Sequence, residues 1–252
     1  MRSLLIVGDR FRGFCAQDGV VTVSQFRQEL RTGLAVDDGP VVVRAGQGVD
    51  PAEWQDLREV AERLGLDGCL EFRDHSVRLA DETEAHKKMR SNTLIADLEP
   101  AGRDVFTASL RVHNDNELLL DHQTGQHVQG MVAIEAARQM FLAVSERFYA
   151  SRYPDTRYYY VIESLNTDFE NFLFPLSATV EFRVLRALVD DPARLSFAAE
   201  ISIHQSGRRA SRSYVTYSAF ATQVIEMKEH KRARHAVEHE MAAAQPALVT
   251  AS

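Results

Sequence analysis

Cysteine is scarce in this chain: Cys15 and Cys69 are the only two, far apart and in no metal-ligand spacing. That excludes a disulfide framework and a thiolate metal site, and leaves two reduced thiols in a cytosolic protein as the reading. Long apolar runs are missing too. The opening stretch MRSLLIVGDRFRG carries one basic residue before an apolar run of about five, too short for a signal peptide and far too short to span a bilayer. The expected location is the cytoplasm, with no membrane partner. A basic excess is also absent. Lys and Arg number 29 against 36 Asp and Glu, so the formal net charge is −7 and an all-over basic nucleic-acid surface is excluded. No internal repeat and no Gly-rich phosphate loop occur. Gly8 follows the first apolar run, but later glycines do not complete a dinucleotide fingerprint. Neither cofactor nor metal is expected. What remains, 45% hydrophobic and 26% charged residues, is the composition of an ordinary globular protein.

The first seventy or so residues alternate strand and helix signals. Ser3 to Val7 and the run Val41-Val42-Val43 are short apolar strands, and Cys69 to Phe72 is a third. Between them, Val23 to Thr32 places Phe26 and Leu30 four apart. A second helix opens at Asp50, with Pro51 in its first turn, where a missing N–H is harmless. It runs through Trp54, Leu57, Val60, Ala61 and Leu64 and stops before Gly65. A βαβαβ order implies a small parallel α/β domain over residues 1–73. Its expected role is structural or partner-docking.

Residues 74–90 are charged without a sustained apolar face and are expected to form a linker. A different pattern occupies 91–224. Strand-like runs at Thr93–Leu98 and Val105–Val112 flank a turn at Pro100-Ala101-Gly102. Gly130 to Phe148 is one long apolar helix. Four strand runs follow, at 157–169, 177–189, 194–205 and 210–222, with turns at Asp190-Asp191-Pro192 and Ser206-Gly207. A helix apolar on nearly all sides must be covered on nearly all sides, and a curved antiparallel sheet does that. The expected fold is α+β: a single hotdog domain after the small α/β domain, with a charged, Ala-rich tail over 225–252. The clustered aromatics Tyr158 to Tyr160 and Phe169, Phe172 and Phe174 read as sheet core and dimer contact rather than a ligand cage.

The polar residues with chemical use are concentrated between His113 and Gln139. Glu135, Arg138 and Gln139 share one face of the long helix among apolar neighbours, where each needs a partner. An intrahelical Glu–Arg pair is the structural reading; a catalytic carboxylate with an anchoring guanidinium is the functional one. Gly130 stands where the helix begins. Free N–H groups and a partial positive charge there would polarise a carbonyl or hold an oxyanion. His122 and His127 lie in the loop leading in, and imidazole can take or give a proton near neutrality.

The set His122, Gly125, Gly130, Glu135-Ala136 and Gln139 resembles the motif of the hotdog dehydratases of fatty-acid synthesis. The stretch DHQTGQHVQGMVAIEAARQM more closely resembles the A-factor biosynthesis family, the γ-butyrolactone synthases of the AfsA type. Its paired histidines, helix-opening Gly-Met and Glu-Ala-Ala-Arg-Gln run carry the likeness, and Arg138 separates it from the dehydratases. His86-Lys87 looks like the His-Lys that begins that family's domain, and His113 is similar to a further histidine ahead of the motif. The resemblance spans about 84–224. Two departures stand out: one hotdog copy where better-known members have two, and Gln129 where proline is usual.

The resemblance implies an acyltransferase that passes a β-ketoacyl group from acyl carrier protein or coenzyme A to a hydroxyl of a small phosphorylated acceptor. The product is an ester on the way to a butenolide, as in signal or secondary-metabolite biosynthesis. Catalysis would fall to Glu135, His122 and Gly130, and substrate binding to Arg138, Gln139, His127, His113 and His86. A single hotdog implies a homodimer that completes the site. A hotdog dehydratase or thioesterase, and a non-catalytic protein that binds acyl chains or a carrier, are the two alternatives.

Overall fold

The computed structural model describes residues 2–33, 39–120 and 125–243. Two sheets organise the chain. The first is parallel and four-stranded, in the order β2-β1-β3-β4, from β1 (Arg2–Val7), β2 (Val20–Thr22), β3 (Val41–Ala45) and β4 (Leu70–Phe72). It has one strand more than expected. Strand β2 is three residues long and carries no periodicity to reveal it. A 3-10 segment, Asp9–Ala16, separates β1 from β2.

Helices α1 (Val23–Thr32) and α2 (Pro51–Arg63) begin at capping boxes, Thr22 with Gln25 and Asp50 with Glu53, which satisfy amide groups the first turn leaves free. Pro51 occupies the first turn of α2 as expected, and Gly65 follows its end with φ +70°. The helices bury Phe26, Leu30, Trp54 and Leu57 against Leu4, Ile6, Val41 and Val43 of the sheet. Val7, pointing the other way from Ile6, joins the second core instead, with Phe11 and Phe14 of the 3-10 segment.

The second sheet is antiparallel and six-stranded, in the order β5-β6-β8-β9-β10-β7. Its strands are β5 (Ile95–Gly102), β6 (Val105–Leu110), β7 (Tyr158–Phe169), β8 (Thr179–Leu188), β9 (Arg194–Gln205) and β10 (Arg208–Ala221). The long helix, numbered α5 (Gly130–Phe148) after the short α3 (Glu82–Ala85) and α4 (Glu117–Leu120), lies on it. Met140, Phe141, Leu142, Ala143 and Val144 of α5 are all at most 1% exposed. Phe141, Tyr217 and Phe197 stack in series, and the Tyr217 hydroxyl finds Ser145 of α5 at 2.7 Å. This is the α+β arrangement of a long helix on an antiparallel sheet.

One turn differs from expectation. Strand β5 continues through Pro100 to Gly102, and the reversal falls at Arg103-Asp104, with Asp104 at φ +59°. Pro100 is tolerated because β5 is an edge strand and needs no outward N–H. The Ser206-Gly207 hairpin, both residues at positive φ, is as expected.

Gln47, 3% exposed, stitches the two sheets together. Its amide nitrogen donates to the Leu110 and Leu176 carbonyls, both at 3.0 Å, and its oxygen accepts from Val112 N–H at 2.7 Å. Beside it Gly48 N–H donates to Val112 O and Gln47 N–H to Pro175 O. Phe14 stacks on Phe174 at 5.6 Å. Residues 74–90, expected as a linker, hold α3 and an isolated bridge from Leu79 to Ala96 of β5. The C-terminal helix α6 (Thr222–Ala243) is exposed along most of its length, with Ile225 buried at its start. No helix among the described residues is long and apolar enough to cross a membrane.

Candidate active site

Helix α5 carries two chemically distinct groups on different sides. The first is charged. Glu135 accepts two hydrogen bonds from Arg138, at 2.8 and 2.9 Å, one from Gln139 at 3.0 Å, and faces Lys87 Nζ at 2.8 Å. Burial pushes its carboxyl up, but the bonds from Arg138, Lys87 and Gln139 outweigh that and bring its pKa down to about 2. The functional and structural readings of Glu135–Arg138 therefore meet in one cluster: the ion pair exists, and a second cation joins it. Both cations remain partly open, Arg138 at 29% and Lys87 at 27% side-chain exposure.

Gln139 is fully buried and fully engaged. Its oxygen accepts from Leu94 N–H at 2.7 Å, and its nitrogen donates to Asn92 O and Glu135. It is thereby a clamp between α5 and the start of β5, which orients Glu135; no donor is left for a substrate.

Lys87 was not among the expected site residues. The one signal for it was its place in the His86-Lys87 pair. His86 itself turns elsewhere. It ends α3 in the left-handed region (φ 52°), bonds Glu146 at 3.0 Å, and meets the Tyr160 ring edge-on at 5.4 Å. Glu146 lies eleven residues beyond Glu135, about three turns along the same side of α5. The His-Lys pair thus grips α5 at two heights.

The second group sits at the N-terminus of α5. Gln129 occupies the cap position without capping through its side chain, which instead donates to the Leu118 carbonyl. Its φ of −63° is the value proline enforces, so the glutamine leaves the entry to the helix as proline would set it. Gly130 opens the helix, and a side chain there would meet the Phe169 ring at 2.9 Å. Gly130, Ala133, His127, Phe169 and Phe172 line a cavity of about 280 Å³. His127 is exposed and packs its ring on Phe172 at 4.9 Å. Phe169 and Phe172, expected as sheet core and dimer contact rather than a ligand cage, are 57% and 68% exposed, so they are not core, and they form this wall. A neighbouring cavity of about 720 Å³ shares Asn171, Phe172 and Ala210 with it, and takes Phe14 and Gln17 from the N-terminal unit.

The structure does not gather all the expected residues. Glu135 is five residues past Gly130, roughly 140° around the helix. Gln139 ties its side to the approach to β5, whereas the Gly130 cavity borders β7 and β10 at the opposite end of the sheet. His113 is in neither place: it faces Asp50 at 3.3 Å and accepts from Asp115 N–H. His122 lies outside the described residues. Among the described residues no cluster of His, Cys, Asp and Glu is placed to hold a metal.

Residues 70–221 match the model of the A-factor biosynthesis hotdog domain. Among solved structures, a thioesterase from Haemophilus influenzae is similar at 14% identity and TM-score 0.38, covering 59% of this chain and 93% of its own. A mutant thioesterase from Pseudomonas aeruginosa is similar at 17% identity and TM-score 0.36, covering 50% of this chain and 81% of its own. AziG of S. sahachiroi gives 17% and 0.34, over 50% of this chain and 90% of its own. No curated protein matches the chain.

Proposed function

The chain belongs to the A-factor biosynthesis hotdog family, and from that premise we propose that it is an acyl-thioester enzyme. It transfers a β-ketoacyl group from a carrier protein or coenzyme A to a hydroxyl of a small phosphorylated acceptor. The observation that carries this reading is the uncapped start of α5 at Gly130, opening on an apolar cavity with a histidine in its wall. N–H groups of the first helical turn polarise the thioester carbonyl and stabilise the oxyanion after attack. The acceptor hydroxyl oxygen bonds the carbonyl carbon, and the carbon–sulfur bond breaks. A histidine, His127 or His122, takes the hydroxyl proton and returns it to the leaving thiolate.

Glu135 is a weak base at a pKa of about 2, so its role in this reading is to anchor Lys87 and Arg138 as cations for the acceptor's phosphate. Because one copy holds that cluster and the Gly130 cavity on different sides of α5, the working form is a homodimer that brings the two together. Strand β7, whose outer edge has no partner strand among the described residues, supports this with Tyr159, Ile162 and Phe169 exposed.

The deciding experiment is mass spectrometry of the protein incubated with a β-ketoacyl thioester, with and without dihydroxyacetone phosphate. An ester formed only with the phosphate supports the transferase. Thioester lost without any acceptor replaces it with a hydrolase or dehydratase, and an untouched thioester with a binding protein.

A further inference from the structure

Just past the end of β6 is a buried arginine, Arg111, one of whose nitrogens finds no acceptor among the described residues. Leu110 and Val112 belong to the core beneath α5, while Arg111 between them lines a cavity with Asp50, Pro51 and Ala52 of the N-terminal unit. Arg111 is only 6% exposed, and its Nη2 finds no hydrogen-bond acceptor among the described residues. Burial lowers its pKa, and Asp50 and Glu53 oppose this through space. His75, bonded to Val49 O, is nearby, and burial together with the charge on Arg111 lowers its pKa. A buried guanidinium with an unbonded nitrogen is a costly arrangement in a folded protein, and its fork of donors is shaped for an oxyanion.

Arg111 lines a cavity of about 370 Å³ with Arg90, Ser91, Thr93, His113 and Asp50. None of Lys87, Glu135, Arg138 and Gly130 belongs to its wall. Arg90 is exposed at its mouth. Asp50 is the acidic member of the wall, but its carboxylate is already engaged: Oδ1 accepts from Ala52 N–H at 2.8 Å and Oδ2 faces His113. Val77 and Leu79 supply an apolar side. Two arginines and two hydroxyl residues, Ser91 and Thr93, therefore line a space the size of a small organic molecule, at the seam of the two units.

We propose that this cavity binds a small molecule bearing an oxyanion, a phosphate monoester or a carboxylate, through Arg111, Arg90 and Ser91. The site is separate from the one on α5, and its ligand bridges the N-terminal unit and the hotdog sheet.

Calorimetric titration of the full chain with inorganic phosphate, and separately with malonate, tests this. Saturable binding of at least one is expected, and the tighter of the two identifies the oxyanion class. Arg90→Ala, at an exposed position, should weaken binding at least about fivefold. Arg111→Met should remove the binding that Arg90→Ala weakens, leaving only what Lys87 and Arg138 hold, while melting no lower than the unmodified protein in anion-free buffer, because a buried guanidinium with an unbonded nitrogen is gone. Glu135→Gln should leave the Arg90-sensitive binding unchanged, since Glu135 is no part of this cavity's wall. The proposal fails if neither anion saturates below about 10 mM, if both arginine variants bind normally, or if Glu135→Gln weakens the same binding that Arg90→Ala weakens.

Discussion

Lys87 Nζ stands 2.8 Å from Glu135 Oε1, across 48 residues of sequence, and turns an intrahelical ion pair into a three-residue cluster. Glu135 has a folded pKa of about 2 against an ordinary 4.5, so its clamp stabilises the fold fully above pH 4.5. That stability is lost as pH falls through about 2. The contribution is up to about 3 kcal/mol at neutral pH. Melting temperatures measured from pH 7 down to pH 3 should therefore fall more for the unmodified protein than for Glu135→Gln. Parallel curves would remove the clamp from the stability of the fold.

Replacing Lys87 by Met removes one cation and leaves Arg138 bound to Glu135 through two hydrogen bonds. Under the transferase reading this raises KM for the phosphorylated acceptor about tenfold or more, with little change in KM for the thioester. Equal changes in both would reduce Lys87 to a packing role.

Gly130→Ala should hardly alter stability, within about 1 kcal/mol, since the ring of exposed Phe169 can swing aside and alanine suits a helix better. Turnover should nevertheless drop, because the methyl and the displaced ring fill the space beside the helix N-terminus. Steady-state kinetics with a thermal melt on the same sample checks both halves.

Gln129→Pro should fold normally. The backbone already has proline's φ, and the rigid ring offsets the lost bond to Leu118 O, so a change under about 1 kcal/mol is expected in a denaturant titration. A larger loss would show that the glutamine amide, and not the backbone, sets the entry to α5.

Gln47→Leu is the strongest expected destabilisation, about 3 kcal/mol, because three buried main-chain groups lose their partner at once. A midpoint shift of that size in urea, with an unchanged slope, is the expected readout.

Local features were legible in the chain. The capping box of Asp50 and Glu53 with Pro51, the Ser206-Gly207 hairpin and the apolar length of α5 each depend on a few neighbouring residues. Strand β2 escaped because three residues carry no pattern, and the β5 turn was displaced because Pro100 is a breaker everywhere except on an edge. In the candidate site, the shared face of Glu135, Arg138 and Gln139 follows from helical spacing. What Gln139 does there does not, since its partners Asn92 and Leu94 come from a distant segment. Lys87 and Arg111 were illegible as functional residues for the same reason. One acquires its role from a helix 48 residues away, and the other from burial beside the distant Asp50–Ala52 segment.

The stitching by Gln47, with Phe14 stacked on Phe174, bears on how this architecture can be cut or recombined. Val7, Phe11 and Phe14 complete the interior beneath α5, so removing the parallel sheet would open the other unit's own core to water. The N-terminal unit is thus no interchangeable module. The chain is expected to melt in one cooperative transition, and a truncated hotdog half would have to replace both the apolar plug and the Gln47 bonds to stand alone.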